Sequence, residues 1–147
     1  MKNAIFLATG LVITVLYIVF SMQIYELLYY ETEFSQAMYD ENMYLAVALI
    51  TAIVAWAAAA IYYYGINSVS FARWYHWLAV LGVTAVLAPT VDFVYPDSVF
   101  AEYDYEYTVQ LMHFSLLNIM VEAVLFIIAS YSIRWWSSNC RHTPIPQ

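Results

Sequence analysis

Glu122 is the residue whose type and position most directly invite chemistry. It lies about ten residues from the nearer end of an apolar stretch covering 109–132, close to the middle of any bilayer that stretch crosses. A charge at that depth costs at least about 2.5–3.5 kcal/mol on insertion scales, so the side chain must face protein or water. No Lys or Arg lies within any apolar stretch, and Arg134 is twelve residues further on, roughly 18 Å along a helix axis. An acid buried without a cation favours its neutral form.

Helical spacing extends this position into a stripe. Asn118 is one turn from Glu122 and Ser115 is two turns away on the same face. Counting depth along neighbouring helices puts Thr14 and Thr84 in roughly the same layer as Ser115, Asn118 and Glu122. Two chemistries suit such a stripe. One is a hydrogen-bonded seam between helices, within one chain or between protomers. The other is a path for protons or cations.

Other chemistries lack their residues. His113 lies about half a helical turn round from Glu122, with Asp92 as its expected neighbour, while His76 and His142 fall near the opposite ends of the apolar stretches. A bis-His haem pair is therefore not expected. Cys140 is the single cysteine, which excludes an internal disulfide, a CxxC pair and a thiolate zinc cluster. No Ser/His/Asp arrangement, metal-ligand cluster or nucleotide loop can be assembled, so no enzyme, metal or cofactor is expected. The net charge of −7 argues against nucleic acid, which calls for a basic patch.

The elements that must hold the stripe follow from composition. Apolar residues make up 65% of the 147 and charged residues 10%, against roughly 45–50% and 25% in ordinary soluble domains. Such a chain has too little polar surface for water. Its apolar stretches cover about 4–24, 44–64, 74–94 and 109–132, and about 20 helical residues cross roughly 30 Å of hydrocarbon. With no water to satisfy the backbone in lipid, each must be helical. The expectation is an all-α integral membrane protein. It has one domain over 1–147, four transmembrane helices in an antiparallel bundle, and a polar tail over 137–147. The first stretch is too long for a signal-peptide core and reads as a retained helix.

The four basic residues are Lys2, Arg73, Arg134 and Arg141. They fall at the N-terminus, in the middle loop and near the C-terminus, which predicts that all three segments are cytoplasmic. The membrane expected is a bacterial inner membrane. Tyr and Trp residues, among them Tyr25, Tyr44, Tyr62, Tyr63, Trp74, Trp77 and Trp136, are expected to anchor the two interfaces. Small residues mark close helix approach: Ala48, Ala52, Ala55 and Ala59 form a stripe in the second stretch, and Gly10 and Gly82 serve the first and third. Pro89 should kink the third helix, with Thr90 satisfying the freed carbonyl.

Ten of the eleven acids fall in or near the other two loops. Glu26, Glu31, Glu33, Asp40 and Glu41 occupy the first, where Ile24, Leu27, Leu28, Phe34, Ala37 and Met38 share one helical face. The second follows a turn expected at Pro96-Asp97-Ser98, with Asp92 near the outer end of the third helix. Its Asp97, Glu102, Tyr103, Asp104, Tyr105, Glu106 and Tyr107 read as a docking rim, because Tyr is enriched where proteins meet and a one-signed field selects a basic partner. The functional expectation is a non-enzymatic subunit that scaffolds a larger envelope assembly, of secretion or defence type. It would form homo- or hetero-oligomers with membrane or envelope proteins in the bilayer. The alternative is an oligomeric cation or proton channel, or a proton-coupled transporter, using Glu122.

Overall fold

The computed structural model describes residues 2–139, and the described chain is helical with no strand. The helices are α1 (Lys2–Val19), α2 (Ser21–Leu28), α3 (Thr32–Asp40), α4 (Met43–Ala60), α5 (Trp74–Glu102) and α6 (Thr108–Ile133). A π-helical turn, Ile61–Ile66, continues α4, and short 3₁₀ turns cover Val69–Phe71 and Arg134–Trp136. Cys140, Arg141, His142, Pro144 and Pro146 lie outside the described residues.

Three helices are long and apolar enough to cross a membrane: Met43–Ile66, Trp74–Glu102 and Thr108–Trp136. A fourth candidate is the pair α1 and α2, bent by 71° at a break between them. The sequence predicts one straight helix over 4–24, so the break is a correction. No Pro or Gly causes it. Phe20 leaves helical geometry at φ −99° and ψ 20°, while Ser21 and Tyr25 just beyond are 4% and 1% exposed. The burial of Tyr25 draws α2 over the bundle end, and tertiary packing overrides helix propensity there.

The opposite correction applies to α5. The turn expected at Pro96-Asp97-Ser98 is absent, and the helix continues to Glu102 with both Pro89 and Pro96 inside it. Pro89, Asp92, Pro96 and Phe100 are all buried. They recur at helical spacing, so one packed face carries the helix past its prolines. Thr90 donates to the Val86 carbonyl at 2.7 Å, whereas the carbonyl that Pro89 leaves without a helical donor is that of Ala85.

The Ala48, Ala52, Ala55 and Ala59 stripe is buried along α4, none more than 5% exposed. Gly10 marks a close approach, since a Cβ there would overlap the Ser132 hydroxyl on α6. Gly82 does not: a Cβ would meet nothing within 4 Å. The close helix approach expected at Gly82 is therefore a correction. The aromatic expectation divides in the same way. Trp74 and Trp136 are exposed, but Tyr25, Tyr44, Tyr62, Tyr63 and Trp77 are core residues.

The chain has two distinct ends. At one, Phe6 stacks on Trp135 with ring centres 4.9 Å apart, and Arg134 is buried with its guanidinium 4.1 Å from the Trp135 ring centre. Asn67 there accepts from the Ser137 and Ser138 hydroxyls at 3.1 and 2.8 Å. At the other end α3 closes over the bundle with Phe34 and Met38 fully buried. The apolar spacing in that segment predicts one helical face from Ile24 to Met38; the segment is instead two helices, and only its second half turns inward as predicted, with Phe34, Ala37 and Met38 buried and Leu27 and Leu28 87% and 38% exposed.

Candidate functional site

The interior site is assembled from five helices. Asp92 on α5 and Asn118 and Glu122 on α6 are all 0% exposed, as is Thr51 on α4. Tyr25 of α2 donates to Asn118 Oδ1 at 2.7 Å, and its oxygen lies 2.6 Å from that of Tyr17 on α1. Asn118 Nδ2 donates to Thr51 Oγ1 at 3.0 Å and to Asp92 Oδ2. Thr51 in turn donates to the same Asp92 oxygen at 2.9 Å.

These bonds orient one another. Because the Tyr25 proton goes to Asn118, the Tyr17 hydroxyl must be the donor to Tyr25. The Asn118 carbonyl faces a donor and its amide faces acceptors, which fixes the direction of the amide. Every donor in the chain therefore leads towards Asp92 Oδ2. Asp92 Oδ1 and both oxygens of Glu122 have no protein hydrogen-bond partner. Asp92 is an electrostatic neighbour of Glu122.

The predicted stripe is thus divided. Asn118 is the hub of the network. Glu122 lies beside it without a bonded partner, and the Ser115 hydroxyl, 7% exposed, is unbonded as well. Ser115 lines a groove of about 320 Å³ between α5 and α6, with Ala85, Pro89, Phe93 and Ile119. Thr14 and Thr84 are buried but do not bond to the stripe. Thr14 accepts from Trp56 Nε1 at 3.0 Å, and Thr84 donates to its own helix at Leu81 O, 2.9 Å away. Depth along a helix matched these threonines to the stripe, but their direction around the helix did not.

His113 is exposed, with its ring 6.2 Å from that of Tyr29. The expected pairing with Asp92 is a correction, because Asp92 turns inward to Thr51 and Asn118. Asp92 itself moves from the acidic loops to the interior, leaving nine of the eleven acids at the bundle end. Thr51, Tyr17 and Tyr25 went unread as site residues. A threonine near the middle of 44–64 was the available signal for the first.

The two acidic loops meet. Gln110 Nε2 donates to Glu31 at 3.2 Å, and Phe34 of α3 packs against Phe100 and Tyr107 with ring centres 6.4 and 5.7 Å apart. Asp104 takes a left-handed conformation, φ 61°, that turns the chain back between α5 and α6. Tyr103 and Tyr105 then stack, centres 6.2 Å apart. Glu102, Tyr103, Asp104, Tyr105 and Glu106 are exposed, while Asp97 and Tyr107 are half-buried. The Glu41 charge, then partial desolvation, raises the pKa of the Tyr103 phenol above that of a free tyrosine. Partial burial, followed by the charge of Glu33, does the same for Tyr107.

Comparison with family models, curated proteins and solved structures finds no match in any of the three.

Proposed function

We propose that this chain is a four-span antiparallel bundle of a bacterial inner membrane, with both termini cytoplasmic and the acidic end outside. It acts as a non-enzymatic subunit that docks a basic, extracytoplasmic partner and so scaffolds a larger envelope assembly. The observation that carries the reading is the joining of two acidic loops into one face by the Phe34, Phe100 and Tyr107 cluster. No Lys or Arg occurs in 20–44 or 95–110, so the field of that face is of one sign. A fixed, desolvated aromatic base under exposed carboxylates suits recognition, since charge steers the encounter and buried aromatic anchors hold it.

The test is recovery of stoichiometric partners from native detergent extracts. Replacing Glu102, Asp104 and Glu106 together by neutral isosteres should lower recovery and flatten its salt dependence, because exposed charges are screened. Replacing Tyr103, Tyr105 and Tyr107 by Ala should lower it further. Unchanged recovery with both triple variants would refute docking at this face. A second reading is proton or cation conduction by an oligomer, favoured by the burial of two electrostatically interacting acids, Asp92 and Glu122, in the interior. Under that reading Glu122→Gln abolishes flux in reconstituted vesicles and leaves assembly intact. Under the docking reading Gln is tolerated.

A further inference from the structure

We infer that Asp92 and Glu122 form a single proton-binding site within the bundle, with Asp92 as the charged member and Glu122 as the carrier of the proton. The inference concerns how the interior is charged and holds whether the chain docks partners or conducts.

Both carboxyl groups are wholly buried, no Lys or Arg lies in the apolar stretches that carry them, and among the described residues no basic side chain bonds to either acid. Two buried anions whose charges interact across a medium of low dielectric repel each other and lose hydration, so at least one must bind a proton. The hydrogen bonds decide which. Asp92 Oδ2 accepts from both Thr51 and Asn118, and donors aimed at one oxygen stabilise a carboxylate. The Tyr17–Tyr25–Asn118 chain points its dipoles to the same atom. Glu122 receives no donor at either oxygen, so nothing in the fold compensates a charge there. Equal chemistry in unequal surroundings separates two acids into a donor and an acceptor of protons.

The titratable groups facing the pair from the packed helices are Tyr17 of α1 and Tyr25 of α2, both committed as neutral donors in the network. From α4 the site receives Thr51, which does not titrate. His113 and His76 lie elsewhere, beside Tyr29 and beside Tyr75. None of the nine acids of the bundle end is buried. A protonated carboxylic acid detected at neutral pH therefore reports on the interior.

Infrared spectroscopy of the full chain in lipid nanodiscs at pH 7 tests the assignment through the carbonyl stretch of a protonated carboxylic acid. The expected result is a band of one acid per chain that shifts when glutamate carboxyls carry ¹³C and stays when aspartate carboxyls do. It should be lost in Glu122→Gln and kept in Asp92→Asn. The labelled wild type makes the test independent of whether either variant folds. The absence of the band, an intensity of two acids, or a shift on aspartate labelling alone would overturn the inference.

Discussion

Removing the hub of the interior network should have a cost that can be worked from its bonds. Asn118 accepts from Tyr25 at 2.7 Å and donates to Thr51 at 3.0 Å and to Asp92. Hydrogen bonds between membrane helices average about 0.6 kcal/mol, with a maximum near about 1.7 kcal/mol. Asn118→Leu keeps the branched shape with bulkier methyl groups and deletes three bonds, so a loss of about 2 kcal/mol from the bonds is expected, more through overpacking at this buried position and if Asp92 is left under-solvated. Tyr25→Phe deletes the bonds to Tyr17 and Asn118, for about 1 kcal/mol on the same scale. The two changes share one bond. The double variant should therefore lose less than the sum of the singles by about 0.6 kcal/mol. Unfolding in mixed micelles by increasing dodecyl sulfate, followed by circular dichroism, measures all three. Thr84→Val is the control, because Thr84 bonds only within its own helix. An Asn118→Leu loss no greater than that control, or strict additivity with Tyr25→Phe, would refute the network as a source of stability.

Three further outcomes follow from other contacts. Gly10→Ala should destabilise the bundle by about 1–3 kcal/mol through overpacking against Ser132, and adding Ser132→Gly should recover most of the loss in the same unfolding assay. With Cys140 replaced, a cysteine at position 36 should react with an impermeant reagent from outside and one at position 68 should not; the reverse would invert the proposed topology. Glu41→Gln should bring the Tyr103 phenol back towards the ordinary value of 10.0, as read by ultraviolet absorbance against pH. The folded phenol keeps its proton above that value while the unfolded one loses it, so rising pH in this range works against the folded loop.

Apolar length and the absence of charge were sufficient to find the long helices, because lipid leaves a spanning backbone few alternatives. They did not locate the break at Phe20. Residues 4–19 before it are mostly apolar and beyond it only Ser21 and Gln23 are polar before Tyr25, and the bend goes with contacts of Tyr25 with Tyr17, Phe114 and Asn118, the last 93 residues away in sequence. A long-range bond of that kind leaves no local signature. The belt reading of Tyr25, Tyr62 and Tyr63 failed for a related reason. Tyr near the end of an apolar stretch serves equally as an interface anchor or as a core ring with a bonded hydroxyl, and Tyr62 donates to Phe71 O at 2.9 Å.

The misplacement of Asp92 has a different origin. Ending the third helix near 94 put Asp92 at the surface, whereas continuation to Glu102 puts it ten residues inside the C-terminal end. Pro96 reads as a terminator because it lacks the backbone donor. Yet Ala85, Ala88, Asp92, Pro96 and Phe100 recur at spacings of three and four and are all buried, and that pattern is readable without coordinates. Proline removes one hydrogen bond, while burying a phenylalanine side chain contributes roughly 1.5–3 kcal/mol, so the packed face prevails. Hydropathy measures depth in the membrane and periodicity measures direction around the helix. Thr14 and Thr84 shared the depth of the stripe and faced elsewhere; Asp92 shared its direction and was assigned the wrong depth. An acid and two prolines in phase with buried alanines and a phenylalanine are thus stronger grounds for a continuing helix than the prolines are for its end.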